Sequence, residues 1–156
     1  MNNRNGTIFA YALQQMIWAE GFQEMSRKKP GIALIDADMA NGRQFCGLLE
    51  KLNYSATLFN SLEDFEGYLE NRPEIAAILD LDSIEVRSQA IRALKKRHPE
   101  LHILGVSKLL LHPGLEELIG THLYACLVKP VNEDELLFWL KSIAENMETP
   151  AGAPDP

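Results

Sequence analysis

The sequence holds only two cysteines in 156 residues, Cys46 and Cys126. Both lie in apolar stretches, and their spacing fits no zinc site. A disulfide between them stays open in principle, and two buried free thiols in a reducing compartment are the expectation. No run of 18 or more apolar residues occurs, which argues against a membrane span. The first residues make a poor secretory leader, because Gln14 and Gln15 interrupt the apolar stretch and no clear cleavage site follows. A cytoplasmic location is therefore expected. Basic residues are in the minority, 15 against 22 acidic ones, for a net charge of -7. That balance argues against direct nucleic-acid binding. No glycine-rich phosphate loop follows the first strand candidate, so the dinucleotide and Walker patterns are disfavoured. His98, His102, His112 and His122 have no ligand spacing and are expected at the surface. No Ser-His-Asp arrangement stands out.

What is present is an alternation of short apolar runs and amphipathic segments. Residues 31–38 (GIALIDAD) read as a buried strand that ends in acids. Residues 40–52 read as a helix through Phe45, Leu48, Leu49 and Leu52, and 54–59 as a second strand. Ser61 has the character of an N-cap, with Asp64 three residues on and Phe65, Tyr68 and Leu69 in the helix, which Pro73 ends. A third strand over 75–79 runs into Asp80, and a helix over 86–97 carries Ile91 and Leu94 before Pro99. A fourth strand over 103–106 ends at Ser107, and a helix is expected near 115–120. The fifth strand, 124–128, ends at Lys129-Pro130. Asn132 then opens a last helix in capping-box spacing with Glu135, its apolar face holding Leu136, Leu137, Leu140 and Ile143. Trp18 and Trp139, both in helical stretches, are expected to pack rather than to stack on a ligand.

Five strand-helix units predict a parallel α/β sheet covered on both faces. The domain is assigned to residues 30–147. Residues 1–29 form a helical extension, with a helix over 8–25, and 148–156 (ETPAGAPDP) a flexible tail or linker. The extension's helix suits packing on the domain or contact between two copies, and both readings stay open.

The polar residues are informative by position. Asp36, Asp80, Ser107 and Lys129 each stand at the C-terminal end of a predicted buried strand, where open parallel sheets place their ligands. Two carboxylates suit a magnesium ion, a lysine suits a phosphate, and a serine hydroxyl can donate to a phosphoryl oxygen. Singly, each residue is as well explained by a turn or a helix cap. Their joint order is what argues for a site.

That order resembles the bacterial response-regulator receiver domain, over about residues 31–146. The resemblance implies a doubly wound, flavodoxin-like α/β fold, a five-stranded parallel sheet in strand order 2-1-3-4-5. It implies Asp80 as phosphoacceptor, with Ser107 and Lys129 completing the catalytic set. Mg²⁺ would be held weakly by Asp36, Asp80 and the backbone carbonyl of Asp82, with Asp38 as a further candidate. The implied partners are a sensor histidine kinase or phosphotransfer protein and a downstream protein or fused output domain. The role is signalling, with at most Mg-dependent self-phosphorylation from a phosphodonor. The sequence also departs from the pattern. Ala37 replaces the second acid of the usual pair, Lys108 replaces a small residue, and Ile84 and Ser88 replace a proline and a glycine. Cys126 stands where an aromatic switch residue is usual. Tyr124, two residues earlier, would share its face under a strand period of two. These departures keep a second reading open, a pseudo-receiver that serves as an interaction module without phosphorylation. A small flavodoxin-like enzyme or cofactor carrier is a third.

Overall fold

The structure is a computed structural model and describes residues 29–70, 76–110 and 112–148. The strands are β1 (Gly31–Ile35), β2 (Ser55–Phe59), β3 (Ala76–Asp80), β4 (His102–Ser107) and β5 (Ala125–Val128). The helices are α1 (Met39–Lys51), α2 (Leu62–Leu69), α3 (Ser88–Arg97) and α4 (Glu133–Glu148). The sheet order is β2-β1-β3-β4-β5, and every pairing is parallel. The expected α/β fold and strand order are thus those observed. The extension at 8–25, Pro73 and the tail from 149 lie outside the described residues.

Alternation along each strand divides the core in two. Ala33, Ile35, Ala77, Leu79 and Ile103 face α2 and α3, and pack on Phe65, Leu69, Ile91 and Leu94. Ile32, Leu34, Ile78, Leu104, Val106 and Leu127 face α1 and α4, and pack on Leu49, Leu136, Leu140 and Ile143. Both faces of β1 and β3 are dry, which is why those segments read as unbroken apolar runs. Each fully buried Leu or Ile contributes about 1.5–3 kcal/mol relative to exposure. Ser61 Oγ accepts from the Asp64 amide at 3.2 Å, and Asn132 Oδ1 accepts from the Glu135 amide at 3.0 Å. Both expected caps therefore form. Cys46 packs against the α1/α4 core and Cys126 against the other. The sheet separates the two, and both thiols are free.

Several boundaries differ from the sequence reading. The helix expected near 115–120 is a single 3-10 turn, Glu116–Leu118. Gly114 and Gly120, at φ 81° and 85°, bracket too few residues to nucleate an α-helix. Leu115 and Leu118 still bury as apolar plugs. β1 stops at Ile35, because Asp38 becomes the N-cap of α1. α3 starts at Ser88, two residues late, and Ile84 and Val86 pack on the core from the preceding loop. Tyr124 does not share a face with Cys126. It precedes β5, so strand alternation does not govern it, and its ring packs with the α1/α4 core. Its hydroxyl is pinned there at 2.7 Å from Ser142 Oγ and 2.6 Å from Asn146 Nδ2. Nor are all four histidines at the surface. His102 is half-buried, edge-on to Tyr124, and the half-buried His112 ring contacts the Leu81 carbonyl oxygen at 3.1 Å. Trp139 packs on the α1/α4 core. No described helix is long and apolar enough to cross a membrane.

Candidate functional site at the carboxyl edge of the sheet

Strand register sets the site. Ile35 pairs with Leu79, so Asp36 and Asp80 follow side by side. Asp80 pairs with Val106, and Ser107 pairs with Val128. Four polar residues, Asp36, Asp80, Ser107 and Lys129, therefore fall within one residue of the same edge. Asp36, Asp80 and Ser107 are 1%, 3% and 1% exposed, and they are the buried polar residues of the described chain. Buried polar groups need partners, and each of these has them.

Asp80 is held at both carboxylate oxygens. Its Oδ1 accepts from the Asp82 amide at 3.0 Å and from the Ser83 amide at 3.1 Å. Its Oδ2 lies 2.7 Å from Lys129 Nζ and accepts from Asn41 Nδ2 at 3.3 Å. The Lys129-Pro130 peptide is cis. Asp36 Oδ1 accepts from the Asp38 amide at 2.9 Å, and its Oδ2 accepts from Asn41 Nδ2 at 2.7 Å. One amide group thus bridges the two buried carboxylates.

Asp82 enters the site by its side chain. Its Oδ1 accepts from Ser107 Oγ at 3.2 Å. Its Oδ2 accepts from the Lys108 amide at 2.9 Å and lies 3.0 Å from Lys129 Nζ. Burial works against the charge on the Lys129 ammonium, but the Asp80 and Asp82 carboxylates outweigh it and raise its pKa. Burial likewise opposes ionisation of Asp82, while the bonds from Lys129, Lys108 and Ser107 hold its carboxyl below the ordinary value.

Three carboxylates and one ammonium leave the cluster net negative, which favours a cation. Among the described residues, no grouping of three or more His, Cys, Asp or Glu side chains is arranged to hold a metal. Asp36 Oδ2 and Asp80 Oδ2 nevertheless share one donor, so both face a single point. Carboxylate oxygens are the donor type a hard divalent cation takes, and here the Asn41 side-chain amide holds the point between them.

The other expected residues take other positions. Asp38 is exposed, and its carboxylate accepts from the Asn41 main-chain N–H at 3.2 Å as the α1 cap. Ala37 lies at the rim, its amide donating to Ser83 Oγ at 3.0 Å. Lys108 has an exposed side chain and contributes its backbone amide. Sequence reasoning missed Asn41, Ser83 and the Asp82 carboxylate. A signal existed for Asn41, which stands third in α1, a position from which side chains reach back over the helix start.

A groove of about 300 Å³ opens beside this edge, lined in part by Asn41, Phe45, Leu48, Lys129, Pro130 and Val131.

No family model matches the sequence, and no curated protein does. Solved structures do match. A receiver domain protein (CheY-like) from Methanospirillum hungatei JF-1 aligns with a TM-score of 0.67 at 19% identity, over 78% of this chain and 98% of its own. A two-component response regulator from Clostridium difficile gives 0.67 at 18% identity, over 78% of this chain and 100% of its own. A sensor protein from Polaromonas sp. JS666 gives 0.63 at 24% identity, over 77% and 99%. Strand order, connections and near-complete coverage of these compact domains agree: the chain has the CheY-like receiver fold of response regulators.

Proposed function

We propose that this domain is a signalling receiver that accepts a phosphoryl group on Asp80 from a histidine-phosphorylated partner, a sensor kinase or phosphotransfer protein. The observation that carries this reading is the pairing of buried Asp80 with Lys129 Nζ at 2.7 Å, beside Ser107 and Asp36. A carboxylate oxygen of Asp80 attacks phosphorus. The P–N bond to the partner's imidazole breaks, a P–O bond forms, and the leaving ring takes a proton from water. Lys129 Nζ, Ser107 Oγ and the Lys108 amide would bind the phosphoryl oxygens once the Asp82 carboxylate gives them up. Mg²⁺, held weakly by Asp36, Asp80 and the backbone carbonyl of Asp82, would screen negative charge on the transferring group. The partner's side chain would enter from the groove beside Asn41 and Lys129. The product shifts a surface read by a downstream protein or fused output domain.

A second reading, an interaction module without phosphorylation, is favoured by two observations. The Asn41 amide stands between the carboxylates, and the Asp82 carboxylate already occupies the Ser107, Lys108 and Lys129 donors. Intact mass after incubation with acetyl phosphate and Mg²⁺ separates the two. Gain of one phosphoryl group, lost in Asp80→Asn, supports the first. No gain at any donor concentration supports the second.

A further inference from the structure

Three donors from two strand ends converge on one carboxylate that belongs to neither strand. Ser107 Oγ accepts from the Leu109 amide at 3.1 Å, so its own hydrogen is left to donate to Asp82 Oδ1 at 3.2 Å. The Lys108 amide and Lys129 Nζ meet the other oxygen at 2.9 and 3.0 Å. A hydroxyl, a main-chain N–H and an ammonium aimed at one anion form an oxyanion site, and nothing in that donor set is specific to a carboxylate. Lys129 is shared. It contacts Asp80 on one side and Asp82 on the other, so an anion on Asp80 would compete for the donors that Asp82 now holds.

We propose that Asp82 is a resident anion in an oxyanion site made by Ser107, Lys108 and Lys129, and that a phosphate-class ligand enters only by displacing it. The assignment of this site to a phosphoryl group rests on the function proposed above, while its occupation by Asp82 does not. Asp82 is tethered two residues from Asp80, so its effective concentration at the site is high and incoming anions meet an intramolecular competitor. The Lys108 and Leu109 amides are both tied to this cluster. The loop they begin carries Leu109 and Leu110, 51% and 76% exposed. Displacement of Asp82 therefore acts first on the segment that presents those two leucines.

The test uses the full chain, ¹⁵N-labelled and titrated with inorganic phosphate at fixed ionic strength, read at the Lys108 and Leu109 amides. Asp82→Ala should bind phosphate at least about tenfold more tightly than the unaltered chain, the scale on which removing a close competing charge acts. Asp82→Asn, which keeps the shape, should gain in the same direction and serves if the alanine variant does not fold. Glu85→Gln makes the same charge change at an exposed position nearby and should gain nothing. Equal phosphate affinity in the unaltered chain and both Asp82 variants, or an equal gain in Glu85→Gln, overturns the proposal. The same titration in an Asp80→Asn background keeps it separate from the acceptor reading. A phosphate gain that persists there supports the resident anion. Acetyl phosphate failing to label Asp82→Ala, while phosphate still binds it, refutes Asp80 as acceptor and leaves the resident anion standing.

Discussion

Asn41→Ala is the most revealing substitution at the carboxylate pair. Asp36 Oδ2 and Asp80 Oδ2 are bonded to one nitrogen at 2.7 and 3.3 Å, so they lie within about 6 Å of each other. Two like charges at that separation repel by about 3 kcal/mol at an effective dielectric of 20. The amide offsets this with two hydrogen bonds to ionised groups, each contributing about 1.5–3 kcal/mol, the 3.3 Å bond at the low end. Water entering the space left by alanine recovers part of the loss. The net cost at pH 7 is then about 2–3 kcal/mol, or roughly 6–10 °C in Tm for a domain of this size. Magnesium should reverse it, because the vacated point lies between two carboxylates. If the variant's Kd falls to about 1 mM while the unaltered chain stays near 10 mM, 10 mM Mg²⁺ stabilises the first by about 1.4 kcal/mol and the second by about 0.4. Thermal denaturation with and without Mg²⁺ reads both effects. A variant within about 0.5 kcal/mol of the unaltered chain and no more responsive to Mg²⁺ would refute the bridging role of Asn41.

Ala37→Asp should also tighten Mg²⁺, by about tenfold, through an added carboxylate beside Asp36; calorimetric titration checks it. Gly42→Ala should change stability by no more than about 1 kcal/mol in urea unfolding, because its Cβ would meet Leu58 Cδ1 at 2.6 Å, the movable end of a half-buried side chain, while alanine gains about 0.8–1 kcal/mol of helix propensity within α1. The folded carboxyl pKa of Asp82 is depressed. Its contribution is thus present above the unfolded value of about 3.9 and lost as pH falls through the folded one, so the urea-midpoint gap to Asp82→Asn should close on acidification. Burial, aided at Cys46 by the charges of Glu50 and Asp36, raises both thiol pKa values. Ellman's reagent at pH 8 should therefore react with the native chain at least about tenfold more slowly than with the urea-unfolded chain.

The sheet was legible because its strands are dry on both faces. GIALI and AAILD carry no polar residue until the acid that ends or follows them, which marks strand and site together. Ser61 and Asn132 announced two helix starts through local chemistry alone. The 3-10 turn was less legible, because buried Leu115 and Leu118 have helical spacing while the glycines that halt the helix act through backbone conformation. Tyr124 went astray for a related reason: a period of two holds only inside a strand, and β5 begins one residue later. Within the site, the strand-end residues are placed by register. Asn41 and the Asp82 carboxylate are placed by side-chain reach across elements, over sequence separations of 39 residues to Asp80 and 25 to Ser107. No local pattern carries such contacts.

Trapping the modified residue tests the central claim most directly. An aspartyl phosphate is an acyl phosphate, and borohydride reduces it to homoserine, which peptide mass spectrometry places in the sequence. The chain treated with acetyl phosphate and Mg²⁺, then with borohydride, should carry homoserine at position 80, and more of it in Asp82→Asn. Homoserine at Asp36 or Asp82 instead, or at no aspartate in either chain, would contradict Asp80 as the phosphoacceptor.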